Sequence, residues 1–209
     1  REAGLNWGDY NMGVVFSAEG FSEQFRNYIA KHAKLKNIYT SSLNHYGTVD
    51  QGTHSHETPL TTLIRRLAVA DKKVQAQLFP ETNRLPTLTQ YMPEQFYFEA
   101  EQGNLYCSAF SGYPMVRYDL KDRGGIFSMK EMEQALALAG VNLKKEIRRA
   151  GIGSIIWNLP FVYLFERSDS VVSWHGANVY PEHIREAHMH PKVNPHTSGK
   201  FTMQIIFDK

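Results

Sequence analysis

The 209-residue sequence predicts an α/β protein with an antiparallel portion in its middle. Three observations carry that expectation. Short apolar runs bounded by polar turns recur along the chain. Segments with apolar residues at helical spacing, several of them opened by a capping residue, alternate with these runs. Near the centre, Gln102-Gly-Asn104 joins two β-like runs as a hairpin turn would.

Met12-Gly-Val-Val-Phe16 is apolar between polar flanks and predicts a buried strand, with Ser17-Ala-Glu-Gly20 as the turn after it. Ser22 caps a helix that runs to about His32 and places Phe25, Tyr28 and Ile29 on one face. Asn37 to Thr40 is predicted as a short strand, and Asn44 to Asp50 as a polar loop. Thr58 and Pro59 open the clearest helix, because Pro59 falls in the first turn, where a missing N–H is harmless. Leu60, Leu63, Ile64, Leu67, Val74 and Leu78 continue it to an end before Pro80. Gln95 to Ala100 and Leu105 to Phe110 are the hairpin strands. Tyr113 to Tyr118 is a further strand, at an edge or with Pro114 at its start. Ser128-Met-Lys-Glu131 is a capping box for a helix that stops near Gly140. Asn142 caps a short helix, Leu143 to Ala150, stopped by Gly151. Trp157 to Phe165 is the last long strand.

Apolar residues make up 42% and charged residues 21%, a balance that supports a sizeable core. A net charge of +2 without a basic run argues against nucleic acid as a partner. The single Cys107 excludes an internal disulfide and fits a reducing, cytoplasmic setting. No apolar stretch reaches the length of about 18 residues expected of a membrane span. The first residues carry neither an initiator Met nor a signal pattern, and the chain stops in a strand-like run, Phe201 to Phe207, so a piece of a longer protein is expected.

Three polar motifs interrupt this scaffold. Asn44-His-Tyr-Gly-Thr-Val-Asp50 combines an aromatic ring able to stack on a base, a glycine that admits a nucleotide close to the backbone, and a carboxylate able to hold Mg²⁺. Read by itself it is also an ordinary Tyr-Gly turn. Pro114-Met-Val-Arg-Tyr-Asp-Leu-Lys-Asp-Arg-Gly-Gly125 places Asp122 just past the expected strand end, where a carboxylate can accept both hydroxyls of a ribose; a charged turn before Gly-Gly fits equally. In Phe165-Glu-Arg-Ser-Asp-Ser-Val-Val-Ser-Trp-His-Gly-Ala-Asn-Val-Tyr-Pro-Glu-His-Ile184, Arg167 and Asp169 close a strand, a β-branched run follows, and a Gly loop leads into a helix.

In order and spacing these motifs, with Ser17-Ala-Glu-Gly20, resemble the AMP-forming adenylating enzymes, and most closely the phenylacetate–CoA ligase branch. The resemblance spans about Met12 to Phe207 and includes Glu-Gly-Phe-Ser-Glu, Arg-Tyr-Asp-Leu-Lys-Asp and Gly-Ala-Asn-Val-Tyr-Pro. It implies that residues 1–168 are the rear half of a large adenylate-forming domain, a mixed sheet with helices and a barrel-like antiparallel portion. Residues 169–209 would begin a small, mobile α+β domain. By the same resemblance Ala18, Glu19 and Gly20 line the adenine pocket, with Asn44, Tyr46, Gly47 and Thr48 around the base and α-phosphate. Asp50 takes Mg²⁺, Asp122 the ribose, and Arg167 the ribose and phosphate. Asp169 is the pivot between two half-reactions, and Gly176 approaches coenzyme A. Two positions depart from the family pattern Asn-x-Tyr-Gly-x-Thr-Glu: Asp50 replaces Glu, and Val49 replaces the hydroxyl that Thr48 would have to supply.

The implied reaction joins a carboxylic acid, aryl or arylacetic, to AMP from ATP and then to CoA, and a homodimer is one assembly it allows. The phosphate loop and catalytic lysine of the family are not found here, so the isolated chain is expected to be inactive. Adenylyl transfer to a deazaflavin coenzyme, or nucleotide binding without catalysis, are the alternatives. Phe16, Tyr39 and Tyr91 either line the acid pocket or pack in the core. His54, His56 and Glu57, and likewise His188, His190 and His196, are either metal ligands or loop histidines, and neither segment reads as a strand.

Overall fold

The computed structural model describes residues 4–17, 20–80, 85–110, 113–165, 172–174, 177–179 and 181–203. The chain opens with β1 (Val14–Ser17) and α1 (Glu23–His32), capped by Ser22 Oγ, which accepts from the Phe25 N–H. The hairpin β2 (Ser42–Thr48) and β3 (Gly52–His56) follows. Then come α2 (Pro59–Ala70), α3 (Lys72–Leu78) and β4 (Thr87–Tyr91). β5 (Phe96–Glu101), β6 (Asn104–Ala109) and β7 (Met115–Phe127) form a meander. The helices α4 (Met129–Leu138) and α5 (Leu143–Ala150) lead to β8 (Phe161–Phe165). A second sheet pairs β9 (Val172–Trp174) with β10 (Ala177–Val179), and α6 (Pro181–His188) comes after it.

The eight strands of the first sheet lie in the order β1-β2-β3-β4-β8-β7-β6-β5. Among the described strands only β1 and β2 pair in parallel, so the fold is α/β with a mixed sheet. The sheet is open, with β1 and β5 at its edges. It nevertheless curls, because Tyr46 on β2 touches both Asp122 on β7 and Phe98 on β5, although three strands separate β2 from β7. Alternation along β8 feeds two cores. Phe161 joins Leu60, Ile64, Leu78, Leu88, Met132 and Leu136 beneath the helices. Val162 joins Tyr46, Tyr91, Phe98, Leu105 and Leu120 inside the curl.

Four expectations are corrected. Asn37 to Thr40 is a turn, because the Asn37 side chain and carbonyl satisfy the Tyr39, Thr40 and Ser41 N–H groups locally. Asn44 to Thr48, read as a loop, is most of β2: β1 and β3 on either side satisfy its backbone despite its polar side chains. The single helix predicted to Pro80 is two, because Asp71 is extended (φ −135°) and its carboxylate caps α3 at Lys73 N. The strand expected at Tyr113 to Tyr118 is not at an edge; Pro114 stands at its start, the other reading, and it runs on to Phe127, since β8 takes over the pairing where β6 stops. Asp122 therefore sits within β7 and not past its end.

Candidate functional site

The site is built on β2 and its turn. Ser42, Asn44 and Tyr46 alternate inward and are buried. At Gly47 the register with β3 shifts, and a Cβ there would collide with the Gly52 carbonyl. A side chain at that position would separate the two strands. The bulge turns the chain so that Thr48 Oγ1 accepts from the Gln51 N–H at 3.1 Å and Asp50 reaches the surface.

Two tyrosine–aspartate pairs tie this hairpin to β7 in opposite senses. Tyr46 of the hairpin donates its hydroxyl to Asp122 Oδ2 of β7 at 2.7 Å, in a contact that is buried on both sides. Tyr118 of β7 donates to Asp50 Oδ2 of the hairpin, also at 2.7 Å, in a contact open to solvent. Gln51 Nε2 adds a bond to the Cys107 carbonyl at 3.3 Å. The Tyr46 ring is wedged between His54, edge-on at 5.4 Å, and Phe98, nearly parallel at 6.4 Å. His54 is 2% exposed, and burial pushes its imidazole down to about 4, so it is neutral at physiological pH. Its Nε2 lies 3.5 Å from Thr48 Oγ1, and its Nδ1 has no hydrogen-bond partner among the described residues.

Behind β2 lies a set of charges of which sequence reasoning named only Glu57, and that as a possible metal ligand. Glu57, between β3 and α2, accepts from Arg26 Nη2 and Arg65 Nη1, each at 2.7 Å, and from the Asn44 N–H at 2.8 Å. Burial alone would raise the Glu57 carboxyl, but Arg65 and Arg26 hold it below its ordinary value. Burial likewise opposes the Arg26 charge, which Glu57 and Glu23 more than restore. The available signal was weak: an Arg within an amphipathic helix reads as solvent-facing until its partner in a distant segment is known.

The structure brings Tyr46 and Asp122 into direct contact, with Thr48 and Asp50 on the adjoining turn and Asn44 two residues before Tyr46 on the same buried face. Gly20 lies at the foot of α1, beside Phe21. Ala18, Glu19, Arg167, Asp169 and Gly176 lie outside the described residues. Tyr91 is enclosed against Phe98 at 4.8 Å, Phe16 packs on Phe21 at 4.3 Å, and Tyr39 lies against the helical core. His54 and His56 stand on β3 and not in a loop, and the His56 ring faces Trp157 at 5.6 Å. His188 pairs with Thr197 at 2.9 Å, and His190 Nδ1 accepts from the Lys192 N–H at 3.3 Å. Among the described residues no three His, Cys, Asp or Glu side chains converge on a metal position. Burial pushes the Cys107 thiol up to about 12, so it is protonated and unreactive. No described helix is long and apolar enough to cross a membrane.

Chemically, the arrangement offers a hydroxyl and two carboxylates at different exposures, while the Tyr46 ring, expected to stack on a base, is instead covered by His54 and Phe98 in the core. That set suits a polyhydroxylated, phosphorylated ligand: Asp122 can accept from sugar hydroxyls, and Asp50 can face a phosphate-bound cation. No protein-family model matches the chain, and a search of the curated proteins finds no significant relative.

Proposed function

We propose that the protein acts in the ATP-dependent activation of a carboxylic acid, aryl or arylacetic, to an acyl-adenylate and then a CoA thioester. One observation supports this above the others. The two short motifs that the family resemblance assigns to a single nucleotide lie 76 residues apart in the chain and meet through the 2.7 Å bond between Tyr46 and Asp122.

In this reading Asp122 accepts the ribose hydroxyls and the Tyr46 hydroxyl orients its carboxylate, since the Tyr46 ring is packed on His54 and Phe98 and does not stack on the base. Thr48 Oγ1, held by the Gln51 N–H, stands where Val49 offers no hydroxyl. One carboxylate is enough protein to hold Mg²⁺ beside ATP, since this ion keeps waters and phosphate oxygens as most of its ligands. Asp50 fits that role because its carboxylate is exposed and oriented by Tyr118. Bound there, Mg²⁺ would offset charge on the phosphates. A carboxylate oxygen of the acid attacks the α-phosphorus, and the bond to the β-phosphate breaks to release pyrophosphate. The CoA sulfur then attacks the acyl carbon, its proton leaves to base, and AMP departs. Arg167 near the phosphate, Asp169 as the pivot at the 168/169 boundary and Gly176 on the CoA side complete the proposal on resemblance alone.

The test is ATP–pyrophosphate exchange by the whole gene product containing this chain, against a panel of acids with and without CoA. Acid-dependent exchange followed by CoA-dependent AMP release is the expected result. Protein that binds ATP yet shows no exchange with any acid would overturn the ligase reading. It would leave transfer of AMP to a non-carboxylate acceptor, or binding alone.

A further inference from the structure

Four ionisable side chains are enclosed behind β2: Glu23 and Arg26 of α1, Glu57, and Arg65 of α2, none more than 3% exposed. Removing charges from water is unfavourable, and an apolar cluster of similar volume commonly stabilises a fold as well or better. Stability alone is therefore a weak account of this cluster. Its outward bonds suggest another.

Glu57 holds both backbone groups of Asn44: its carboxylate accepts from the Asn44 N–H at 2.8 Å, and its own N–H donates to the Asn44 carbonyl at 2.7 Å. Arg26 Nη1 donates to Ser42 Oγ at 2.8 Å. Arg65 Nη2 donates to the Phe21 carbonyl at 2.6 Å, and both guanidinium groups lie over the Phe21 ring, at 4.7 and 5.3 Å. The cluster thus grips two segments at once: the turn at Gly20 and Phe21, and the start of β2 that leads to Tyr46 and Thr48. Planar guanidinium forks suit this task. Each can saturate a carboxylate and still direct a further N–H at a second, fixed target, which a lysine ammonium does not do with the same geometry.

We infer that the Arg26–Glu57–Arg65 cluster is the positioning element of the nucleotide site, setting the spacing between the Gly20–Phe21 turn and the Asn44–Thr48 strand. The inference rests on the proposed nucleotide site for its functional part. All three residues are buried behind β2 and act through the backbone that carries Tyr46 and Thr48.

Arg65→Lys tests it, with amide hydrogen exchange, AMP affinity by calorimetry and thermal unfolding measured together on the whole gene product. Exchange should rise in segments 20–22 and 42–46 and stay unchanged in β5 to β7. AMP affinity should fall about tenfold, the factor that corresponds to one charge-assisted hydrogen bond. Arg66→Ala is the control: it removes bonds to Glu23 and Asn27 but none to Glu57, Phe21 or β2, so AMP affinity should stay within about twofold. Folded Arg65→Lys with unchanged exchange in both segments and unchanged AMP affinity would overturn the inference. If Arg65→Lys does not fold, Ser42→Ala decides, because it deletes only the acceptor of Arg26 Nη1. Faster exchange at 42–46 supports positioning, and unchanged exchange refutes it. Wild-type protein that binds neither AMP nor ATP would remove the nucleotide reading, and the exchange data alone would then decide whether the cluster sets the spacing.

Discussion

His54 shows how one residue can carry an acid-sensitive load. Its ring lies among Tyr46, Phe96 and Phe98, and its folded-state proton affinity falls from the ordinary 6.5 to about 4 because burial disfavours the cation. The unfolded chain therefore binds more protons than the folded one between those two values. Stability is unaffected by this residue above about pH 6.5 and declines as pH falls toward about 4. The loss amounts to on the order of 3 kcal/mol, from the width of that window. His54→Leu should remove it, so urea titrations at pH 7 and pH 4 should show the variant gaining by that amount relative to wild type. A difference that is the same at both pH values would refute the burial account. The sequence placed His54 beside His56 and Glu57 as a metal candidate or a loop histidine. It is instead a core residue, because β3 carries its ring in among Tyr46, Phe96 and Phe98, and those contacts with other strands are invisible in the local sequence.

At the scale of the element, most helix starts and stops were legible, the break at Asp71 excepted, and polar strands were not. The Ser128 capping box, the Asn142 cap and the left-handed Gly151 (φ 68°) all lie within a few residues of the helix they bound. Local hydrogen bonds are enough to define them. β2 has no such local signature: its Ser, Asn and Gly are drawn from the residues of turns. It is a strand because β1 and β3 flank it. Its bulge depends on Gly47, where a Cβ would meet the Gly52 carbonyl and lie 2.8 Å from Thr53 Cα, both backbone atoms that cannot swing aside. Gly47→Ala should destabilise by about 1–3 kcal/mol, the usual range for overpacking. The midpoint of urea unfolding measures this, and a midpoint equal to that of wild type would show that the hairpin opens without strain.

For the whole molecule, the decisive feature is the curl that folds β5 to β7 over β2. The Tyr46–Asp122 bond is buried, whereas the Tyr118–Asp50 bond faces water, and the two should differ accordingly in weight. Tyr46→Phe should cost about 1–3 kcal/mol, since it withdraws a donor from a buried carboxylate. Tyr118→Phe should cost less than about 0.5 kcal/mol, as surface changes do. Denaturant titration of both variants checks the pair, and equal losses would mean that the curl is held elsewhere. The chain's sequence by itself determined the α/β class, the central hairpin and the caps of α1, α2, α4 and α5, all of which rest on residues close together. Only the tertiary structure decided that Asp122 lies inside a strand, that β2 is a strand at all, and that Glu57 joins Arg26 and Arg65 behind the site. Those outcomes depend on contacts between distant segments, and the polar residues that make them read locally as turns or solvent-facing charges.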